Sequence, residues 1–231
     1  MTGKRPPFFP DLRGRPDAPE GWLGGRLDID WTLAAYRAGF FPWFEEGEPL
    51  TWWSSRERMV IPPRDLYVSR RLARTIRQGR FEVTFDLEFD AVVERCANQR
   101  GPGREGTWIT RGVRQVFGEL HREGLAHSVE CRTDGELVGG MYGASLGGCF
   151  FGESMFSSVR DASKVAMVAL CSHLAAWDFD VLDGQVASAH LVSMGGVTMT
   201  RTAFLELLSR SLERDDRRGP WTVDEALFPS T

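Results

Sequence analysis

The spacing of apolar residues along the chain predicts a succession of helices and strands from about residue 65 onward. Val113, Val116, Phe117 and Leu120 recur at i, i+3, i+4 and i+7, which is the period of one face of a helix. Asp134-Gly135 stands between two apolar runs and is a strong signal for a hairpin turn. The patterns predict helices over residues 70–78, 87–98, 110–123, 163–177 and 202–214, strands over 81–86, 127–132, 136–145, 149–153 and 181–186, and a glycine-rich loop over 100–106.

The first sixty residues carry a different pattern, in which short apolar runs are separated by proline and glycine. Residues 1–20 are rich in both and predict an extended arm. Asp28 or Asp30 can cap a short helix over residues 31–38, which Gly39 and Pro42 would end. Because Pro62-Pro63 predicts a hinge, we expect a small N-terminal domain over residues 1–63 and a larger domain over residues 64–231.

The order of the predicted elements favours an α+β fold, with an antiparallel-rich mixed sheet flanked by helices. A meander of antiparallel strands, then a helix and one more strand, is the layout of GNAT-type acyltransferase domains. Acyltransferases that use CoA need a glycine-rich turn for its pyrophosphate before the buried helix, and residues 157–164 contain no glycine. The sequence therefore predicts a GNAT-like fold that does not use CoA.

Composition excludes several classes of protein. Of the 231 residues, 42% are apolar and 26% charged, which is ordinary for a globular protein in water. No run approaches the roughly 20 apolar residues of a membrane span, and the N-terminus does not resemble a signal peptide, so we expect a cytoplasmic protein. The four cysteines and four histidines show no metal-binding spacing, so we expect buried, reduced cysteines and no metal.

The charge is unevenly distributed. The net charge is −4, yet residues 69–80 contain five arginines and no acid. On a helix, Arg70, Arg74 and Arg77 fall within about 60° of one another. A solvated helix face is one interpretation of this run, and a stripe that follows nucleic-acid phosphates is the other.

Tryptophan is unusually frequent, with eight residues. Trp52 and Trp53 are best interpreted as core residues. Trp108 directly follows the glycine-rich loop, where a core residue is not expected. An aromatic ring at such a place can stack on an unpaired base, which is worth roughly 1–3 kcal/mol.

A single carboxylate, Glu153, stands in the most apolar stretch of the chain, close to Phe150 and Phe156. Burying an unpaired carboxylate costs several kcal/mol, so Glu153 needs partners. Asp183 and Gln185 are two apart on the next predicted strand and therefore share one face of the sheet. We expect these three polar side chains to converge on one site.

Several motifs in order are similar to those of the leucyl/phenylalanyl-tRNA–protein transferase family, from about residue 21 to 208. They are Phe-Phe-Pro-Trp-Phe at 40–44, Trp-Trp-Ser at 52–54, Gly-Thr-Trp-Ile-Thr-Arg-Gly at 106–112, His-Ser-Val-Glu at 127–130, Leu-Val-Gly-Gly-Met-Tyr-Gly at 137–143, Gly-Glu-Ser-Met-Phe-Ser at 152–157, Ala-Ser-Lys at 162–164 and Asp-Gly-Gln-Val at 183–186. The resemblance implies transfer of Leu or Phe, and less well Met, from aminoacyl-tRNA to the N-terminal Arg or Lys of proteins, which marks them for degradation as N-degrons. It implies no cofactor, and we expect a monomer.

The resemblance also implies roles for individual residues. They are Glu153, Asp183 and Gln185 as the catalytic group; Met141, Phe150, Leu170 and Leu174 as the pocket for the donor's side chain; Trp43 and Trp108 at the terminal adenosine of the tRNA; and Arg70, Arg74 and Arg77 along its acceptor arm. We hypothesise that the Gln185 carbonyl orients the attacking amine, that Asp183 polarises Gln185, and that Glu153 binds an amino group of donor or acceptor.

Two other functions compete with this interpretation. One is a small-molecule acyltransferase that uses CoA, against which the missing pyrophosphate turn argues. The other is a non-catalytic RNA-binding module made of the arginine helix and the tryptophans. That module would leave Glu153, Asp183 and Gln185 without an explanation.

Overall fold

A computed structural model describes residues 6–99 and 107–228, so the loop predicted over 100–106 lies outside the described residues. The main elements are β1 Gly21–Leu23, α1 Ile29–Arg37, β2 Phe41–Pro42, β3 Thr51–Trp53, β4 Glu57–Ile61, α2 Arg70–Arg77, β5 Glu82–Phe85, α3 Phe89–Ala97, α4 Arg111–Arg122, β6 Ala126–Thr133, β7 Glu136–Leu146, β8 Cys149–Ser157, α5 Ala162–Ala176, β9 Val181–Gln185, α6 Ala189–Ser193, β10 Val197–Thr200 and α7 Arg201–Ser211.

A mixed sheet with the strand order β10-β4-β9-β8-β7-β6-β5 forms the centre of the fold. Strands β5 to β8 form an antiparallel meander. Helix α5 then carries the chain across the sheet, so that β9 returns parallel to β8. A small sheet of order β1-β3-β2 lies outside it. The prediction of an α+β fold with a mixed sheet flanked by helices is confirmed.

The predicted helices and strands after residue 65 are present, with ends shifted by a few residues. Their termini follow the expected local chemistry. Thr110 Oγ1 accepts the backbone N–H of Val113 at the start of α4, and Asp28 Oδ1 accepts that of Trp31 at the start of α1. Asp134 and Gly135 have φ values of 51° and 79°, as a tight hairpin turn between β6 and β7 requires.

Strand β4 is the main element that the pattern did not predict. It lies on the N-terminal side of the predicted boundary at residue 63, yet it pairs with both β9 and β10 inside the large sheet. Val60 lies opposite Asp183 and Met59 opposite Gln185. The division at residue 63 stays a prediction, but β4 belongs to the sheet that carries the candidate site.

Two hydrophobic clusters cover the two faces of the sheet. One contains Val60, Tyr142 and Phe151 together with residues of α1, α3, α4 and α7. The other contains Met59 and Met141 together with residues of α5. The four cysteines are buried and carry free thiols, so their interpretation as core residues is confirmed. In the part of the chain that the structure describes, no helix is long and apolar enough to cross a bilayer.

A buried arginine ties the N-terminal arm to α7. Arg201 is 2% exposed, and its guanidinium donates to backbone carbonyls only. The carbonyls belong to Arg15, Pro16, Ala18, Pro19 and Ser54. Arg201 therefore links the N-terminal arm to α7 through neutral acceptors, in contrast to Arg58, another buried arginine, which is described below.

Candidate active site

The parallel pairing of β8 and β9 brings the predicted polar residues together. Phe151 lies opposite Asp183, so Glu153 and Gln185, each two residues further along its strand, lie side by side on the same face. Gln185 Nε2 donates to Glu153 Oε1 over 2.6 Å. Glu153 and Gln185 are 8% exposed and Asp183 is fully buried. The expected convergence of the three side chains is confirmed.

The two carboxylate oxygens of Glu153 have different surroundings. Oε1 accepts hydrogen bonds from Gln185 and from the Tyr36 hydroxyl, the latter at 2.7 Å. Oε2 is buried and has no partner among residues 6–99 and 107–228. Burial raises the pKa of Glu153 to about 8 even though both hydrogen bonds and Arg58 act in the opposite direction. The resting carboxyl is therefore mainly neutral at pH 7, with its proton on Oε2.

This raised pKa predicts how stability depends on pH. Between about pH 4.5 and pH 8 the folded state keeps a proton that the unfolded state releases, so the free energy of unfolding should fall as pH rises. The slope approaches about 1.4 kcal/mol per pH unit where the difference is one full proton. Urea unfolding from pH 5 to pH 8 measures it. Glu153→Gln should flatten the dependence, and an equally steep curve in that variant would contradict the assignment.

Asp183 is held by Arg58 of β4. Arg58 Nε donates to Oδ1 over 2.8 Å and Nη2 donates to Oδ2 over 2.6 Å, a bidentate pair between fully buried side chains. Asp183 Oδ1 also accepts the backbone N–H of Gln185 over 2.8 Å. The hypothesis that Asp183 polarises the Gln185 side chain is thus changed: the carboxylate contacts the backbone of Gln185, and the side-chain amide contacts Glu153.

Two cavities meet at Glu153, with volumes of about 710 and 440 Å³. Both are lined by Gln99, Gly152, Glu153, Ser154, Gly184, Val186 and Ser188. The two volumes fall within the range of small-molecule sites. The buried carboxyl of Glu153 therefore lies at the junction of the two cavities. A molecule that occupied both cavities would pass directly by it.

The larger cavity carries the two tryptophans predicted to hold adenosine. Trp43 and Trp108 both line it, and Trp43 is 47% exposed. Trp53 donates its indole N–H to the Trp43 carbonyl over 2.8 Å, which supports the backbone below the exposed ring. Trp52, in contrast, is fully buried in the core, as interpreted from the sequence.

The smaller cavity is rich in methionine, and its lining also contains polar side chains, among them Ser157, Ser163 and His190. Met141, as expected from the resemblance, lines it together with Met155, Phe156, Met167, Leu182 and Leu191. Phe150, Leu170 and Leu174 are fully buried in the core cluster on that side of the sheet and are not among its lining residues. Their contact with a donor stays a prediction. Methionines adapt their shape, so this cavity suits apolar side chains of several shapes.

The predicted arginine stripe is exposed on α2. Ser69 caps the helix and Leu72 buries its opposite face. Arg70, Arg74 and Arg77 form no ion pair with any acid among the described residues, whereas Arg71 pairs with Asp161 over 3.0 Å. The three side chains are free to meet phosphates.

Sequence reasoning missed Tyr36 and Arg58. Tyr36 is fully buried on α1, and its hydroxyl reaches Glu153 across 117 positions of the chain. The signal for Arg58 was weak, a charge beside the apolar run Met59-Val60-Ile61. Over the described ranges, no three His, Cys, Asp or Glu side chains come together as metal ligands.

Comparison with known proteins identifies relatives over nearly the whole chain. The family model for leucyl/phenylalanyl-tRNA protein transferase matches residues 60–209, and the model for the N-terminal domain of the same family matches residues 25–56. A leucyl/phenylalanyl-tRNA–protein transferase of Aromatoleum aromaticum is 47% identical over 95% of this chain and 93% of its own length. One from Anaeromyxobacter sp. is 48% identical over 96% of this chain and 94% of its own length.

Proposed function

Since the chain belongs to the leucyl/phenylalanyl-tRNA–protein transferase family, it is an aminoacyltransferase that moves Leu or Phe from aminoacyl-tRNA to the N-terminal Arg or Lys of a protein, and we propose that Glu153, Asp183 and Gln185 form its reaction centre. One observation carries the proposal: the buried Oε2 of Glu153, which has no partner among the described residues, lies where a cavity lined by two tryptophans meets a cavity lined by three methionines. The terminal adenosine of the donor occupies the first cavity and its amino-acid side chain the second.

The reaction needs no covalent enzyme intermediate, because an aminoacyl ester is already activated. The α-amine of the acceptor attacks the ester carbonyl carbon. A new amide C–N bond forms, the C–O bond to the tRNA ribose breaks, and the proton lost by the amine ends on the ribose oxygen. An α-amine has a pKa of about 7.7–8.0, so a useful fraction is neutral at pH 7 and no strong base is required. Correct placement of amine and ester can supply much of the acceleration.

The residues at the junction of the cavities supply this placement. Because Gln185 Nε2 donates to Glu153, the amide oxygen of Gln185 is left on the other side of its amide group, where it can accept an N–H of the attacking amine. Glu153 Oε2 receives an amino group of donor or acceptor. An ammonium bound there favours the ionised carboxylate, so Glu153 releases its proton to solvent through the cavities as the ammonium binds.

The fold and the smaller cavity also support a type of catalytic domain and a third donor amino acid. The meander, the helix α5 and the parallel strand β9 support a GNAT-like catalytic domain. The size and methionine content of the smaller cavity support Met as a further donor besides Leu and Phe. We further propose that the protein works in the cytoplasm as a monomer and that its products are degraded as N-degrons.

The activity itself is tested by incubating the protein with labelled Leu-tRNA and a peptide that begins with Arg. We expect label to enter the peptide, and no label to enter the same peptide when its α-amine is acetylated, since the acetylated nitrogen is not a nucleophile. A peptide that begins with Ala is the control for acceptor specificity. Binding of Leu-tRNA without transfer would instead support the RNA-binding module.

The arginine stripe of α2 should set the affinity for the tRNA. Replacing Arg70, Arg74 and Arg77 together by Gln should raise KM for Leu-tRNA at least about tenfold at 0.1 M salt, leave kcat nearly unchanged, and lower the slope of log KM against log salt by about 2–3. Replacing the exposed Arg15, Arg210 and Arg218 removes the same charge elsewhere and is the control. Equal effects of the two triple variants would argue against a specific stripe.

A further inference from the structure

Arg58 is a buried arginine whose guanidinium binds a carboxylate that is itself fully buried. It is 1% exposed and donates twice to Asp183, and its third nitrogen donates to the Gly39 carbonyl over 3.2 Å. Two aromatic rings also contact the guanidinium. Its Cζ lies 4.6 Å from the centroid of the Phe41 ring and 4.5 Å from that of Phe204.

The Asp183 carboxylate, which Arg58 holds in place, in turn binds the backbone of Gln185. Gln185 has a φ of 59°, in the left-handed region that a residue with a Cβ rarely adopts. The Asp183 carboxylate accepts the N–H of Gln185, two positions along the chain, which is the local contact that stabilises such a turn. In that conformation the Gln185 side chain reaches Glu153. A shift of the Asp183 carboxylate would therefore release the Gln185 backbone and move its amide.

We propose that Arg58 is a positioning residue of the transfer reaction: held between Phe41 and Phe204, it fixes the Asp183 carboxylate, which in turn holds Gln185 in the left-handed conformation that directs its amide to Glu153. The inference rests on the proposed function of this site. Lysine cannot replace Arg58, because a single ammonium can neither bind both oxygens in one plane nor stack between two rings.

The test compares wild-type protein with Arg58→Lys and Arg58→Met, and uses Arg201→Lys and Arg201→Met as matched controls, all below their melting temperatures. Both arginines are buried, but Arg201 binds only backbone carbonyls. We expect kcat to fall about tenfold in Arg58→Lys and about a hundredfold in Arg58→Met, with KM for Leu-tRNA within about threefold of wild type. The Arg201 variants should lose thermal stability and keep kcat within about threefold.

Two further measurements separate positioning from a structural effect. In a Gln185→Ala background, Arg58→Lys should lower kcat by less than about threefold, because residues that act through one another are not additive. The pKa of Glu153, followed by carbon NMR, should rise in Arg58→Lys as in Gln185→Ala, since the Gln185 hydrogen bond lowers it. Lysine keeps the positive charge, so this rise reports the lost Gln185 contact.

The outcomes distinguish the inference from the proposed function. Absence of Leu transfer by the wild-type protein would overturn the function, and the Glu153 pKa would still test the positioning. A kcat of Arg58→Lys within about threefold of wild type, an equal loss in the Gln185→Ala background, or an unchanged Glu153 pKa in Arg58→Lys would each overturn the role of Arg58.

Discussion

Replacing Glu153 by Gln should reduce kcat/KM for Leu transfer at least about a hundredfold. The amide oxygen of the new side chain can still accept from Tyr36 and Gln185, as Glu153 Oε1 does. At the position of Oε2, however, the variant has an NH₂ group, which can only donate. It therefore cannot accept a hydrogen bond from the substrate's amine. A charged hydrogen bond made in the transition state is lost, and such losses cost about 10²–10³ in rate.

The same variant should be more stable than the wild type at pH 8 and above. Burial disfavours the ionised carboxylate of Glu153, and a neutral amide of the same shape removes that cost. Activity and stability therefore change in opposite directions, so unfolding cannot explain the lost activity. Single-turnover transfer and urea unfolding at pH 8 measure the two quantities.

Gln185→Ala should lose activity to a similar extent, because it removes both the donor to Glu153 and the oxygen proposed to orient the amine. Glu136→Gln, which changes an exposed carboxylate at the β6–β7 turn, serves as the control and should transfer Leu at the wild-type rate. Transfer at nearly wild-type rates by both Glu153→Gln and Gln185→Ala would rule out this reaction centre.

The local part of this site could be predicted from the sequence. The carboxylate of Glu153 lies in an apolar strand, so it needs hydrogen-bond partners to offset the cost of burial. The alternation of side chains along a strand puts Asp183 and Gln185 on one face. Both arguments depend on residues near one another in the chain. The hydrogen bond between Gln185 and Glu153, 32 positions apart, confirms the convergence that they predicted.

The long-range part could not be predicted. Arg58 reaches Asp183 across 125 positions, because β4 inserts between β9 and β10, and no local pattern specifies that strand order. The donor pocket shows a related limit. Met167 of α5 lines the smaller cavity, and periodicity alone, which marks the whole helix as buried, could not single it out.

Substitutions in the buried pair of Arg58 and Asp183 should show whether the pair serves the stability of the fold or the reaction. Asp183→Leu leaves the guanidinium buried without its counter-charge, and the free energy of unfolding should fall by about 3–5 kcal/mol. A second change, Arg58→Met, removes the stranded charge. The double variant should recover most of that loss, because apolar side chains of similar volume often replace a buried ion pair without cost.

Activity should not return with stability. In the double variant no carboxylate accepts the N–H of Gln185, so the left-handed turn loses its support and Leu transfer should stay at least about a hundredfold below wild type. Urea unfolding and the peptide-transfer assay on the two single variants and the double variant complete the cycle. Recovery of transfer together with stability would mean that the pair serves only the fold. A stable, inactive double variant would mean that the ion pair is retained for the geometry of the reaction, at a position where apolar packing alone would hold the sheet together.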